Sequence, residues 1–165
     1  GISNYRPKEA AKAFKILKDL GTPCLIHQPN YNLFDRWIED GLLDLLKNSG
    51  VGAICFSPLA QGMLTSKYIT GLPKDSRAIK DSPFLNANQV IEKLPEIKAL
   101  HKIAENRNQS LAQMAISWIL KEDGITSVLI GASKTDQIID SVKAIENTVF
   151  TKHEIIAIDT ILKES

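Results

Sequence analysis

Apolar residues along this chain follow two rhythms. Three short runs, Pro23 to His27, Val51 to Phe56 and Ser127 to Ile130, are apolar without alternation, and each is followed by polar or glycine-rich residues. Unalternating runs of this length predict strands buried on both faces, as in a parallel sheet. Between them the apolar positions recur every three or four residues, which predicts helices. The first helix starts at Pro7, places Ala10, Ala13, Phe14, Leu17 and Leu20 on one face and stops at Gly21. A second covers Gly41 to Lys47 with Leu42, Leu45 and Leu46 inward. Glu92 to Arg107 reads as a third. Ser110 and Gln113 form a capping box ahead of Ala112, Ala115, Ile116 and Ile119. Thr135 is placed to cap a helix packing Ile138, Val142 and Ile145, and a Thr151/Glu154 capping box opens a terminal helix with Ile155, Ile158 and Leu162 inward.

The order is therefore strand, helix, strand, helix. Gly1-Ile2-Ser3-Asn4 reads as the end of a further strand, giving four strand-helix units. A closed barrel of eight such units needs about 250 residues, so 165 residues predict half a barrel, a single domain over 1–165. The only long irregular stretch is Gly71 to Val90, polar and carrying Lys74, Asp75, Arg77 and Lys80. Loops of that length in compact α/β units are usually functional or disordered.

Charge removes several classes of function. Lys plus Arg total 20 against 19 Asp plus Glu, which leaves no global field to gather nucleic acid or an anionic membrane, so any anion site is local. Cys24 and Cys55 sit inside apolar runs and read as reduced core thiols. No apolar run approaches the roughly 20 residues of a membrane span, and no signal-peptide pattern is present. A cytoplasmic location is the simplest expectation. No spacing of Cys, His and carboxylates suggests a metal site, and neither a Gly-x-Gly-x-x-Gly nor a P-loop occurs.

In a parallel α/β barrel, chemistry is done at the carboxyl ends of the strands. The residues there are Ser3 and Asn4, Gln28 to Asn32, Phe56 to Leu59 and Gly131 to Gln137. Amides can pair with a carboxamide and an aromatic face can stack on a flat heterocycle, a combination suited to nicotinamide. Residue type alone favours the plainer alternative, that Ser3, Asn4 and Gln28 cap helices or satisfy loop backbone. Gly131-Ala132-Ser133-Lys134 precedes a helix start, where free N–H groups favour an anion. A lysine is out of place there unless an anion joins it, or unless it simply points into solvent. Strand alternation puts His27 opposite Gln28, which makes His27 structural if Gln28 faces a ligand.

Gly1-Ile2-Ser3-Asn4-Tyr5, His27-Gln28-Pro29-Asn30-Tyr31-Asn32, Phe56-Ser57-Pro58-Leu59-Ala60-Gln61-Gly62, Ser66-Lys67-Tyr68 and Val128-Leu129-Ile130-Gly131-Ala132-Ser133 together resemble, in order, the landmarks of the aldo-keto reductases. The resemblance is strongest to L-glyceraldehyde 3-phosphate reductase-like and potassium-channel β-subunit-like members. It implies the C-terminal half of a (β/α)8 TIM barrel, from the end of strand 5 through strand 8 with their helices. It also implies that Ser3, Asn4 and Gln28 hydrogen-bond the nicotinamide carboxamide and that Phe56 stacks beneath the ring. Ser57, Pro58 and Leu59 would line the pyrophosphate path. Lys67 and Arg77 would reach the phosphates, with Arg77 on a loop able to fold over the cofactor. Gly131, Ser133, Lys134 and Gln137 would hold the adenosine 2′-phosphate and adenine. Asp140-Ser141 departs from the Glu-Asn that often closes the adenine motif in the family, which puts the adenine contacts in doubt.

The family's catalytic Asp, Tyr, Lys and His come from earlier strands, so no catalytic residue is assigned in this chain. The resemblance thus implies NADP(H)-dependent reduction of a small carbonyl substrate, with this segment positioning the cofactor, an N-terminal half of the same barrel supplying the proton donor, and homo-oligomerisation. The alternatives are a cofactor-sensing regulatory subunit and an inactive half-barrel.

Overall fold

The computed structural model describes residues 1–73, 78, 83 and 85–163. Arg77, the residue expected to latch the long loop, lies outside the described residues, as do Lys74, Asp75 and Lys80. Four strands, β1 (Ile2–Ser3), β2 (Ile26–Gln28), β3 (Gly52–Cys55) and β4 (Ile125–Val128), form one sheet in the order β1-β2-β3-β4, parallel throughout. The helices between and after them are α1 (Pro7–Asp19), α2 (Leu42–Ser49), α3 (Ala87–Asn106), α4 (Leu111–Leu120), α5 (Thr135–Val142) and α6 (Lys152–Lys163). Among the described residues no helix is long and apolar enough to cross a membrane.

Register explains how the core is built. His27 pairs with Ala53, and Ala53 with Ile125, so these residues share a face. On that face Ala53 and Cys55 join Leu42, Leu46, Leu100, Met114, Trp118 and Ile158 in one apolar cluster. Tyr31 leans on Trp118 with ring centroids 5.2 Å apart. The opposite face carries Ile26 and Gly52, which pair with each other. A Cβ on Gly52 would come within 2.6 Å of Thr126 Oγ1 and 3.3 Å of Ile26 Cδ1, so only glycine lets β2 and β4 side chains close over β3 there. Thr126 and Ser127 on this side are exposed. The strands are therefore buried on one face, not both as their unbroken apolar runs suggest, because the described helices pack on that single side.

Several boundaries differ from expectation. β4 lies two residues earlier than the run Ser127 to Ile130, and Leu129 and Ile130 are exposed beyond it. α3 begins at Ala87 instead of Glu92, because Asn86 and Gln89 form a capping box by reciprocal side-chain bonds of 3.0 and 2.9 Å. Thr135 is not the cap of α5. Lys134 holds that position with extended dihedrals and no side-chain bond, and Thr135 is the first helical residue. Ile138, Val142 and Ile145 are exposed, whereas Ser141 and Ala144 are buried, because α5 and the turn after it pack on α4 with one side only. Leu20 is likewise exposed at the end of α1. The Ser110/Gln113 and Thr151/Glu154 capping boxes form as expected.

Candidate functional site

At the carboxyl end of β1 the chain turns sharply. Asn4 takes a left-handed conformation with φ 56°, and its N–H donates to Gln28 O at 3.2 Å. Ser3 Oγ donates to the same carbonyl at 2.7 Å. The Asn4 side chain accepts from Asn30 N–H at 2.9 Å. Because a backbone N–H can only donate, the atom facing it is Oδ1, and the free end of Asn4 is its NH2 group. Ser3, having spent its proton on Gln28 O, retains acceptor capacity, and Gln28 makes no side-chain hydrogen bond among the described residues. Three polar residues, with the roles of Ser3 and Asn4 defined by their bonds and both ends of the Gln28 amide open, thus stand at neighbouring strand ends.

Phe56 enters next to them. Its N–H donates to Pro29 O at 3.0 Å and its carbonyl accepts from Tyr31 N–H at 3.4 Å, so the two peptides flanking Asn30 hold its backbone. Ser57 then reverses the chain with φ 54°, followed by Ala60 and Gln61 at 45° and 58°. Asn32, buried, donates its Nδ2 to Ser57 O at 3.1 Å and accepts from Phe34 N–H at 2.9 Å. Of the five non-glycine residues with positive φ among those described, four (Asn4, Ser57, Ala60 and Gln61) lie at this edge of the sheet. Such conformations cost free energy and persist where surrounding contacts impose them, and they concentrate at functional sites.

The remaining expected residues divide. Pro58 is buried and Leu59 packs against the core, so of that trio only Ser57 brings a polar side chain, and its Oγ accepts from Gln61 Nε2 at 3.3 Å. Lys67 lies in the short turn Ser66–Tyr68, exposed, with Nζ 5.9 Å from the Tyr68 ring centroid. Gly131, Ser133, Lys134 and Gln137 form a separate, exposed group at the start of α5, where Gln137 Oε1 accepts from Ser133 N–H at 2.8 Å. Lys134 meets no carboxylate among the described residues. Asp140 turns inward, accepting from Ser110 Oγ at 3.0 Å and Gln113 Nε2 at 2.6 Å, and so braces α5 against the start of α4. Ser141 Oγ donates back to Gln137 O.

His27 is fully buried, with Nε2 3.1 Å from Tyr5 O. That carbonyl can only accept, so the proton sits on Nε2. Burial lowers its pKa from the ordinary 6.5, with the Tyr5 contact working the other way. Sequence reading placed Asn30 and Asn32 in the strand-end run Gln28 to Asn32 without giving either a role and passed over Asp35, though Asx-rich segments after a strand are known turn formers that bond to backbone. A groove of about 530 Å³ nearby is lined by Leu33, Phe34, Arg36, Lys93 and Asp159 among others. Two of the cations that line it are paired, Arg36 with Glu39 and Asp159 and Lys93 with Glu96, and Lys163 also lines it.

The profile of the Aldo/keto reductase family matches residues 1–163, and the chain belongs to that family. It is 46% identical over 164 residues to an L-glyceraldehyde 3-phosphate reductase of Escherichia coli (strain K12), covering 96% of this chain and 47% of the relative. It is 37% identical over 152 residues to a probable voltage-gated potassium channel subunit beta of Oryza sativa subsp. japonica, covering 88% and 46%. Among solved structures, a glycerol dehydrogenase from Gluconobacter oxydans superposes with a TM-score of 0.76 at 30% identity, over 99% of this chain and 48% of the other. The chain spans about half the length of the curated relatives it matches.

Proposed function

We propose that this chain is the cofactor-positioning C-terminal half of an NADP(H)-dependent aldo-keto reductase barrel that reduces small aldehydes or ketones to alcohols. The observation that carries the reading is the trio at the edge of the sheet. Ser3 has a free acceptor, Asn4 a free donor and Gln28 both, beside the backbone-clamped ring of Phe56. A primary carboxamide carries one acceptor and two donors, and a nicotinamide ring offers a flat face, so the set suits that group. Bound there, the cofactor supplies hydride. The residues of this chain hold the ring at one face and distance, which converts a bimolecular encounter into an oriented one. Lys134, exposed and unpaired by any described carboxylate at the start of α5, suits the 2′-phosphate that distinguishes NADP(H).

Completion of the barrel is supported by what lies open. Ile16 and Leu20 of α1 and Leu25 before β2 are exposed, as are Leu129, Ile130, Ile138, Ile139, Val142 and Ile145 after β4, and β1 and β4 are the outer strands of the sheet among the described residues. A partner half would cover these surfaces and bring the proton donor. Similarity to the channel subunit favours a second reading, a cofactor-sensing regulatory subunit that uses the same cofactor site. The test is NADPH-dependent reduction of methylglyoxal or glyceraldehyde 3-phosphate by this chain alone, and again after adding a separately expressed N-terminal half. No turnover alone and recovery on mixing is the expected result. Turnover by the isolated chain overturns the division of labour.

A further inference from the structure

We infer that Asp35 is a positioning residue for the nicotinamide end of the site, acting through Asn30 on both Asn4 and Phe56; this rests on the functional reading above. Asn30 is the point where the cluster is joined. Its N–H fixes Asn4 Oδ1 at 2.9 Å, and the peptides on either side of it hold the N–H and carbonyl of Phe56. What fixes Asn30 itself is Asp35. The Asp35 backbone is locked opposite Asn32 by two hydrogen bonds of 3.0 and 3.1 Å, and its carboxylate accepts from Asn30 Nδ2 at 2.5 Å.

The carboxylate also decides which way the Asn30 amide faces. An oxygen turned towards Asp35 would meet a second acceptor, so the NH2 must point there. Asn30 Oδ1 is left buried without a hydrogen bond among the described residues. An acceptor held in that state costs free energy, and it is tolerated here because the charge-assisted bond to Asp35 outweighs it. One carboxylate therefore sets the rotamer of Asn30, the peptide planes beside it, the carboxamide donor on Asn4 and the plane of the ring that nicotinamide would cover. None of these contacts reaches the segment 131–137, so the adenine end should not respond to Asp35.

The experiment uses the complete protein and compares wild type, Asp35→Ala and Asp35→Asn, the last keeping an oxygen acceptor for Asn30. NADPH affinity and the emission of bound nicotinamide report one end of the site, and binding of 2′,5′-ADP reports the other. Hydrogen exchange at the Asn30 and Tyr31 amides reports the bonds directly. Asp35→Ala should weaken NADPH binding about fivefold, dim the nicotinamide emission and speed exchange at both amides, with 2′,5′-ADP affinity unchanged. Asp35→Asn should recover most of each signal. Wild-type binding of NADPH with no effect of Asp35→Ala, or an equal loss for 2′,5′-ADP, overturns the positioning role alone. Failure of the wild type to bind either nucleotide overturns the functional reading and this inference with it.

Discussion

At the ends of β1 to β3, Ser3 bonds to Gln28, Asn4 to Asn30 and Asn32 to Ser57, across 25 or 26 residues of sequence each. Between β4 and α5, Ser133 reaches only to Gln137, four residues on, and every residue from Gly131 to Ile139 is exposed. The first region exists only when the sheet exists, so its geometry is set before any ligand arrives. The second is a local turn in solvent, able to adapt around what binds. Orientation of a reacting ring demands the former, whereas a charged phosphate can be held by a side chain that swings into place.

Three outcomes would sharpen or break that contrast. The largest effect should come from Asn32→Ala, which strips partners from Ser57 O and Phe34 N–H together. With about 1–3 kcal/mol for each buried group left unsatisfied, a loss of roughly 2–4 kcal/mol is expected in denaturant unfolding. A loss below about 0.5 kcal/mol, the range of ordinary surface changes, would mean that the long-range bonds are ornamental.

Lys134→Ala should behave in the opposite manner, leaving stability within about 0.5 kcal/mol. It should weaken NADPH binding by about 1.5–3 kcal/mol, the range for hydrogen bonds to charged groups. NADH binding should hardly change. Equal losses for both cofactors in fluorescence titration would make Lys134 a plain surface charge.

The smallest effect is on pH dependence. His27 is held below its ordinary pKa of 6.5 by burial, so the unfolded chain takes up a proton before the folded one does. Its contribution to stability is complete above about 6.5, declines as pH falls below that value and levels off beneath the folded pKa. His27→Gln should flatten this part of the stability profile. Glu154 belongs to a lower window. Burial disfavours its charge, but bonds from the Thr151 backbone, Arg107 and the Thr151 hydroxyl together bring its pKa below the ordinary 4.5. Its contribution is therefore lost only as pH drops from about 4.5 through the folded pKa. A single step near 4.5, with nothing above it, would show that His27 charges freely in the fold.

The same contrast decides what could be read from sequence. Helix punctuation is local, and the Ser110/Gln113 and Thr151/Glu154 boxes form where their spacing puts them. Gln28 and Phe56 were legible as strand-end residues because apolar runs end beside them. Asn30 and Asn32 fell in the same strand-end run but their roles were not legible, and Asp35 lay outside it, since their partners lie on other strands or depend on a tight turn that no pattern announces. Ile138, Val142 and Ile145 have helical spacing yet stay exposed, because periodicity marks an apolar face without saying what covers it. Nor does any pattern announce that the Asp140 carboxylate accepts from Ser110 and Gln113.

The two thiols have a practical consequence. Cys55 is fully enclosed, and burial pushes its pKa up to about 12, while Cys24 is covered and turns its Sγ to Ile26 O at 3.4 Å. Both thiols are buried, so maleimide chemistry should pass both by. A cysteine introduced on the exposed turn, for instance Ala132→Cys, would then be the preferred target. A dye attached there could follow the arrival of a nucleotide while Cys24 and Cys55 stay in place.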